Sequence, residues 1–485
     1  MLTLPAETRG ELWQRLVEAI ERYTTEVGEA AVAPAVDVEA FRDRLSAFDF
    51  GQPMEPLAAL DFAVQSLWRG QVHTPHPRYF GLFNPAPATM GIAGDALAAA
   101  FNPQLATWSH SPFATEVEQH LVRAFAERFG YDPARTEGTF TSGGAEANHT
   151  ALLLALTRTF PEVARRGLLA LRSQPVVYVT AETHHSVLKA ARLSGIGTEA
   201  IREVRLDSGL RMRPDALAER IREDREAGCT PFLVVATAGT TGSGAVDPLA
   251  EIAEIADEER LWLHVDAAWG GAAALVPELR HAVEGIARAS SITFDAHKWL
   301  SVPMGAGLFL TRHTGLLERT FRVATGYMPH VAGQTMGDPY AHTMQWSRRF
   351  IGLKVFLALA VAGWEGYEQA IRHQTAMGDL LRRRLTEEGW TVVNDTPLPL
   401  VNFVDGGKEG RGAYLEALAA DVVASGEAWI SVAQVGELGP ALRACITHFG
   451  TGPEDLERLI RALDQARARQ SPRSEARSEE REAGA

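Results

Sequence analysis

The middle of the chain alternates short apolar runs with amphipathic helical patterns, and this alternation limits the folds open to it. The apolar runs lie at 176–180, 232–236, 261–265, 291–294 and 306–310. The helical patterns lie at 186–194, 214–226, 248–258 and 277–287. Strands that alternate with helices predict an α/β fold, in which a mostly parallel sheet carries helices on both faces. Ligands of such sheets bind at the carboxyl ends of the strands.

The segments on either side have other patterns. Amphipathic helices are predicted at 6–28, 37–48 and 56–69. Three such helices cannot close a core alone, so we expect them to pack on a second subunit. From 71 to 113 the chain is dense in proline, glycine and aromatic residues, which indicates loops. Beyond residue 351, long helices are followed by short strands predicted at 391–393, 400–404, 429–433 and 442–447.

The composition excludes several classes of partner. A formal net charge of −14 without a basic stripe argues against nucleic acid. The two cysteines, Cys229 and Cys445, offer no disulfide framework, which fits a reducing compartment. No apolar run is long enough to span a membrane, and the first residues have no signal-peptide core. We therefore expect a cytoplasmic protein with no membrane partner.

Lys298 is the first candidate for chemistry. It lies between His297 and Trp299, directly after the apolar run at 291–294, and it is one of four lysines in a chain with 43 arginines. A lysine amine can lose its proton and form a Schiff base, whereas a guanidinium stays charged. The alternative is a solvated surface lysine, but its apolar and aromatic neighbours argue against that interpretation.

Asp266 ends another predicted strand, 32 residues before Lys298. Pyridoxal 5′-phosphate (PLP) requires an amine for the Schiff base and an acid beside its pyridinium nitrogen, and these two residues supply both. The alternative is that Asp266 is a carboxylate that caps a nearby helix.

Two further segments fit an anionic, aromatic ligand. Thr141–Asn148 reads TSGGAEAN and opens a helix, where glycines and free backbone amides favour a phosphate. The alternative is an ordinary helix cap; neither this segment nor the glycine-rich 239–244 matches a Walker or dinucleotide motif. His184 follows a predicted strand and could stack on a cofactor ring, or could be a loop histidine bonded to a carbonyl. It has no suitably spaced partners for a metal, so no metal site is predicted.

These motifs occur together in a recognisable order: TSGGAEAN, HHSV, ATAGTTGSGAVDP, WLHVDAAWGG and FDAHKWL. Over residues 70–450 the chain resembles the group II PLP-dependent decarboxylases, which include the aromatic-L-amino-acid, histidine, glutamate and cysteine-sulfinate decarboxylases. The resemblance implies the fold-type I architecture of PLP-dependent transferases. It also implies an intertwined homodimer with active sites at the subunit interface.

The resemblance assigns roles around the cofactor ring. Lys298 would be the Schiff-base lysine, and Asp266 would pair with the pyridinium nitrogen. Ala268 would pack on one ring face, and His184 would stack on the other.

The resemblance also assigns residues to the phosphate and the reaction. Gly144 and Ala145 would offer backbone amides to the phosphate, with Asp295 and His297 near it. Thr241 would contact the cofactor or the stacking histidine.

Tyr327 would be the proton donor on a mobile loop, although a core tyrosine is the alternative. Relatives with phenylalanine at this position form an aldehyde, so tyrosine here, with His184, favours simple decarboxylation.

The substrate pocket is implied by the same resemblance. Its predicted residues are Phe83 and Ala86, in a loop with Leu82, and Gln104 and Trp108 from the other subunit. Phe83 and Trp108 suit an aromatic substrate. No basic residue in this segment would hold a substrate carboxylate, while Arg78 and Arg348 stay open as candidates.

The sequence thus predicts PLP-dependent decarboxylation of an L-amino acid, with an aromatic substrate favoured. The alternatives are a decarboxylation-dependent oxidative deaminase, a PLP-dependent lyase with a phosphorylated or sulfur-containing substrate, and a cofactor-binding protein without catalysis. The predicted segments are an N-terminal helical dimerisation segment (1–75), a large PLP-binding domain (76–350), a small C-terminal α+β domain (351–467) and a disordered tail (468–485).

Overall fold

The computed structural model describes residues 2–323, 337–406 and 411–470. The α-helices are α1 (Ala6–Glu26), α2 (Val38–Ser46), α3 (Pro56–Arg69), α4 (Thr89–Phe101), α5 (Pro112–Arg128), α6 (Gly144–Thr159), α7 (Val163–Arg166), α8 (Ser186–Leu193), α9 (Pro214–Glu226), α10 (Leu249–Glu258), α11 (Leu316–Phe321), α12 (Gly352–Glu387, with a kink at Gly363), α13 (Arg411–Ala424) and α14 (Pro453–Gln470). The strands are β1 (Glu137–Thr141), β2 (Pro175–Val179), β3 (Ile201–Glu203), β4 (Thr230–Thr237), β5 (Trp262–Asp266), β6 (Ser291–Asp295), β7 (Gly307–Thr311), β8 (Trp390–Val392), β9 (Leu400–Asp405), β10 (Ser431–Gln434) and β11 (Pro440–Cys445).

The larger sheet has seven strands in the order β1-β7-β6-β5-β4-β2-β3. Strands β3, β2, β4, β5 and β6 run parallel, and β7 runs antiparallel to both of its neighbours. Every residue of β2, β5, β6 and β7 is buried, as expected for a sheet covered by helices on both faces. Helices α6, α8 and α11 cover one face, and α5, α9, α10 and α12 cover the other. The predicted α/β class is confirmed.

This topology brings three strand ends to one edge of the sheet. Strands β5 and β6 end at Asp266 and Asp295, and β1 ends at Thr141 just before α6. Strand β7 begins at the same edge, where Gly307 pairs with Thr141 and with Asp295. A Cβ atom at Gly307 would collide with the Thr141 hydroxyl and lie 2.7 Å from Cα of Gly143. Glycine at this position therefore permits the close packing of this edge.

The C-terminal sheet has four antiparallel strands in the order β10-β11-β9-β8. Its apolar face packs with residues of α13 and α14 in a separate core cluster that includes Phe403, Leu418 and Leu459. The predicted small C-terminal α+β unit is thus present. None of the helices in the described ranges is both long and apolar enough to cross a membrane.

Two local predictions were wrong. The segment predicted as a helix at 277–287 forms 3₁₀ turns at Pro277–Val283 and Ile286–Arg288, separated by Gly285 in the left-handed region (φ 93°). The stretch 71–113, predicted as loop, contains α4. Its small residues let α4 pack closely on α12, since a Cβ atom at Gly94 would lie 2.6 Å from Cα of Lys354. That packing is long-range and leaves little amphipathic signal in the sequence.

Helices α1, α2 and α3 begin within one residue of their predicted starts but bury none of their residues in this chain. Apolar side chains on them stay exposed, among them Trp13, Val17, Leu45 and Leu67. An amphipathic helix normally buries its apolar face against another element. The expectation that a second subunit covers these helices is a prediction taken up below.

Candidate active site

A buried carboxylate lies at the centre of the sheet edge. Asp266, the last residue of β5, is 5% exposed. Its Oδ1 accepts a hydrogen bond from the backbone amide of Ala268 at 3.1 Å, and its Oδ2 accepts one from Nδ2 of Asn148 at 2.7 Å. Both donors are neutral, so they stabilise the carboxylate without cancelling its charge. Buried charge of this kind favours a cationic partner, which suits a protonated ring nitrogen.

Asn148, on α6, has a side chain whose orientation is fixed by chemistry. A carboxylate can only accept hydrogen bonds, so Asn148 must present its NH₂ group to Asp266. The same Nδ2 lies 2.9 Å from Oγ of Ser186. The amide oxygen then faces Nε2 of His264 at 3.0 Å, so that imidazole nitrogen carries a proton. The Asn148 side chain thus joins Asp266 to His264 directly and to Ser186.

The chain of hydrogen bonds continues to both sides. Ser291 Oγ accepts from Nε1 of Trp262 at 2.9 Å and lies 2.8 Å from Nδ1 of His264, to which it donates. Burial lowers the pKa of His264 to about 4. His264 is therefore neutral at pH 7, with its proton on Nε2.

His184 receives its orientation from Ser186. The Ser186 hydroxyl accepts from Asn148 and lies 2.8 Å from Nδ1 of His184, to which it donates. Burial lowers the pKa of His184, and Lys298 adds to this effect, whereas Asp266 opposes it. The neutral imidazole then carries its proton on Nε2.

Lys298 lies one turn beyond the end of β6. Its Nζ is 3.2 Å from Oδ2 of Asp295, and the lysine side chain is 23% exposed whereas that of Asp295 is 2% exposed. His297 lies 3.8 Å from the same carboxylate oxygen, and burial lowers the pKa of this histidine. The Oδ1 atom of Asp295 has no hydrogen-bond partner in the described part of the chain. The Lys298 amine is thus held beside a buried carboxyl group, while its side chain stays partly exposed to solvent.

The first turn of α6 closes the same space. Helix α6 begins at Gly144, where backbone N–H groups have no acceptor within the helix. A Cβ atom at Gly144 would lie 2.9 Å from Oδ2 of Asp295 and 3.3 Å from Cβ of Ala268. The helix N-terminus, with Gly144 and Ala145, thus meets the ends of β5 and β6. Such an N-terminus suits a phosphate group.

Aromatic rings form a wall beside Lys298. Phe83 stacks on Trp269 with ring centroids 4.5 Å apart, and Trp269 stacks on Trp299 at 5.1 Å. The Nζ of Lys298 is 5.6 Å from the centroid of the Phe83 ring. The structure thus places Phe83, one of the predicted pocket residues, beside Lys298, while Ala86 is half-buried in the same loop.

Arg443 lies against this wall and was not predicted from the sequence. It is 2% exposed, and its guanidinium lies 5.1 Å from the centroid of the Phe83 ring. Nε donates to the carbonyl of Thr241 at 2.8 Å and Nη1 to that of Gly81 at 2.7 Å. Within the described ranges, Nη2 is buried without a hydrogen-bond partner. The sequence signal was an arginine inside the apolar strand β11.

The two arginines that the sequence left open as candidates, Arg78 and Arg348, are held by other contacts. Arg78 donates to the carbonyls of Glu427 and Gly28. Arg348 forms a buried ion pair with Glu118, with Nη1 2.9 Å from Oε1. These contacts hold both guanidinium groups away from Lys298 in structural roles.

The remaining predicted residues have contacts with groups other than Lys298 and Asp266, or lie outside the described residues. Gln104 is exposed and donates to Ser347, and Trp108 is half-buried and donates to Glu116. Thr241 is half-buried in the loop after β4. Tyr327 lies outside the described residues. No group of three or more histidine, cysteine, aspartate or glutamate side chains in the described ranges is arranged to hold a metal ion.

Comparison with known proteins gives consistent matches. The family model described as the pyridoxal-dependent decarboxylase conserved domain matches residues 44–404. An aromatic-L-amino-acid decarboxylase of Bacillus atrophaeus is 32% identical over 406 residues, which are 83% of this chain and 82% of that protein. An acidic amino acid decarboxylase of Bos taurus is 33% identical over 346 residues, which are 70% of this chain and 64% of that protein. The crystal structure of Oryza sativa TDC with PLP and tryptamine superposes with a TM-score of 0.90 at 25% identity and covers 97% of this chain and 99% of that one.

The neutral state of His264 predicts a loss of stability in acid. The pKa of His264 is about 4 in the folded chain and about 6.5 when unfolded, so the unfolded state binds more protons below pH 6.5. The contribution of neutral His264 to stability is complete above pH 6.5 and is lost as the pH falls from 6.5 through 4. Between pH 7 and pH 5 this one group accounts for about 2 kcal/mol of the free energy of unfolding. For His264→Gln, the free energy of unfolding measured in urea should therefore fall by about 2 kcal/mol less than that of the wild type between pH 7 and pH 5. The exposed His281→Gln is the control, and an equal pH-dependent loss in His264→Gln and the wild type would contradict the assignment.

Proposed function

Because the chain belongs to the family of pyridoxal-dependent decarboxylases, and is thus a PLP-dependent carboxy-lyase, we propose that it removes the α-carboxyl group of an aromatic L-amino acid. The products are the corresponding amine and carbon dioxide. The observation that carries the substrate class is the stack of Phe83, Trp269 and Trp299 beside Lys298. The rings of this stack are 3–6% exposed, and Phe83, the ring beside Lys298, presents an apolar aromatic contact that suits an aromatic side chain.

We propose that the residues at the sheet edge hold PLP. The Asp266 carboxylate fits a protonated ring nitrogen, and Ala268 and His184 fit the two ring faces. The phosphate fits the amides of Gly144 and Ala145, with His297, Asp295 and Thr241 around them. The Nζ of Lys298 is the point of covalent attachment.

When bound, PLP draws electron density away from the substrate α-carbon, so that the bond to the carboxylate can break. The protein's part is electrostatic and geometric. Asp266 places a carboxylate where the ring nitrogen needs one, and Asn148 orients this carboxylate by a hydrogen bond. Ser186 fixes the ring orientation of His184. Each 1.36 kcal/mol by which such preorganisation lowers the barrier speeds the reaction about tenfold.

Tyr327 is proposed to return the proton to the α-carbon. A phenol is a suitable general acid for this step. The rival product, an aldehyde formed with consumption of oxygen, would require that no proton donor reaches the α-carbon in time.

A second candidate substrate is an acidic amino acid. The observation that favours it is the buried, unpartnered Nη2 of Arg443, close to the Phe83 ring. A guanidinium with a free N–H group would bind a side-chain carboxylate. The similarity to an acidic amino acid decarboxylase of Bos taurus gives further support.

Product analysis separates these proposals. PLP-loaded protein is incubated with each common L-amino acid, with diaminobutyrate and with cysteine sulfinate, and carbon dioxide, amine and hydrogen peroxide are measured together. The proposal predicts equal carbon dioxide and amine from aromatic amino acids, with little peroxide. Turnover confined to acidic amino acids would favour the second candidate substrate class over the first, and peroxide equal to carbon dioxide would remove Tyr327 from the protonation step.

Replacement of the anchoring lysine tests the cofactor site. Lys298→Ala should lose the visible absorbance of covalently attached PLP and, with it, decarboxylation by several orders of magnitude. The exposed Lys189 on α8 provides the matched control, and Lys189→Ala should keep both properties. Retention of the absorbance band in Lys298→Ala would mean that another lysine carries the cofactor.

We further propose a cytoplasmic homodimer, in which α1–α3 of one chain pack on the other, and a division into segments 1–75, 76–350, 351–467 and 468–485. Residues 471–485 lie outside the described ranges. The exposed apolar side chains of α1–α3 support the dimer. Sedimentation should give twice the mass of one chain, with activity lost on dilution as dimers dissociate. A fully active monomer would contradict a shared site.

A further inference from the structure

The loop from Gly239 to Gly244, between β4 and α10, is held by the C-terminal part of the chain through an unbroken series of contacts. Each of four consecutive carbonyl oxygens accepts a hydrogen bond from a different side chain. The donors and acceptors are Arg443 Nε to Thr241 at 2.8 Å, Asn402 Nδ2 to Gly242 at 3.2 Å, Asn394 Nδ2 to Ser243 at 2.8 Å and Thr396 Oγ1 to Gly244 at 2.7 Å. We refer to these four donors as the carbonyl clamp.

The donors of the carbonyl clamp are themselves rigidly placed. Asn402 on β9 and Arg443 on β11 are direct register partners in the C-terminal sheet, and they are 0% and 2% exposed. The backbone amide of Asn402 donates to Oδ1 of Asn394 at 2.8 Å, which turns the NH₂ group of Asn394 toward the loop. Thr396 is buried and accepts from the amide of Leu398 at 3.2 Å. The position of the donors therefore follows the C-terminal sheet.

The loop also has contacts of its own, but these fix only its shape. The amide of Gly244 donates to the carbonyl of Thr240 at 2.9 Å, and that of Ala245 donates to the Thr240 hydroxyl at 3.1 Å. Such local bonds would be kept if the whole loop moved as a unit. The carbonyl clamp ties the loop to the C-terminal part of the chain, and on the other side the Ser243 hydroxyl donates to Oε2 of Glu182 at 3.5 Å.

The opposite side of the loop faces the segment that carries His184. A Cβ atom at Gly242 would lie 3.2 Å from Oε2 of Glu182, two residues before His184. Arg443 also holds the carbonyl of Gly81, two residues before Phe83. The loop is thus enclosed between the C-terminal sheet and the proposed cofactor site.

We propose that the carbonyl clamp is a positioning device through which the C-terminal sheet sets the place of Thr241 at the cofactor site. Its residues act through the loop backbone and not on the reacting atoms. The inference rests on the proposed assignment of Thr241 to PLP. It predicts that loss of one donor loosens the loop and weakens PLP binding, because one hydrogen bond of ordinary strength corresponds to about fivefold in an equilibrium constant.

The test uses the pair Thr396→Val and Thr396→Ser. Valine removes the hydroxyl that donates to Gly244 and accepts from Leu398, whereas serine keeps a hydroxyl that can make both bonds. Amide hydrogen exchange of residues 239–245 is measured on the PLP-free protein, and the Kd for PLP is measured by titration. Thr396→Val should exchange faster in this segment and bind PLP about fivefold more weakly, and Thr396→Ser should behave as wild type. Thr386→Val is the control, since the exposed Thr386 hydroxyl donates to the carbonyl of Arg382 within α12 and is outside the clamp.

Two results would overturn the proposal. One is a lower melting temperature in Thr396→Val with unchanged exchange of residues 239–245, which would make Thr396 a folding residue only. The other is faster exchange with an unchanged Kd for PLP, which would separate the loop from the cofactor. If Thr396→Val does not fold, Asn394→Asp tests the same point, since its Oδ1 can still accept from Asn402. Because exchange is read without turnover, a wild-type protein that binds PLP but decarboxylates nothing would reject the proposed function and not the clamp.

Discussion

The buried carboxylate of Asp266 organises the sheet edge on which the proposed chemistry depends. Its two acceptor oxygens determine how Asn148 must point, because only the NH₂ group of the amide can face a carboxylate. From that one constraint follow the protonated nitrogen of His264 and, through Ser186, the orientation of His184. A single charge at the end of β5 therefore sets the hydrogen-bond direction of groups on α6, on β5 and at the start of α8.

The fold supplies what this network needs. Parallel strands end together, so Asp266 and Asp295 lie at one edge, and β1 delivers the N-terminus of α6 to the same place. Because Gly144 and Gly307 have no side chain, Asp295 and Ala268 approach Gly144, and Thr141 approaches Gly307, more closely than a Cβ atom would allow. Neutral amides hold the Asp266 carboxylate, so its charge stays available to a cationic ligand, whereas the Asp295 carboxylate pairs with Lys298.

Sequence patterns predicted the elements that local physics specifies. The alternation of apolar runs and helical patterns gave the strands β2 and β4 to β7, because buried parallel strands are continuously apolar. Lys298, Asp266 and His184 could be singled out because each follows such a run. The structure places Lys298 beside Asp295 and connects Asp266 to His184 through two side chains. Asn148 lies 118 positions from Asp266, and Arg443 lies 202 positions from Thr241, so no local pattern could pair them. Helix α4 was missed for the same reason, since its close contact with α12 is long-range.

The charge relation between Asp266 and the cofactor is the central claim, and nuclear magnetic resonance can test it directly. The wild-type protein would be loaded with PLP labelled with ¹⁵N in the ring, and the ¹⁵N chemical shift of the bound cofactor would be followed with pH. The account predicts that the wild-type protein shows the ¹⁵N chemical shift of a protonated ring nitrogen at and above neutral pH. In Asp266→Asn the chemical shift should be that of an unprotonated nitrogen. An unprotonated nitrogen in the wild-type protein at neutral pH would contradict it, because Asp266 would then not be the partner of that nitrogen.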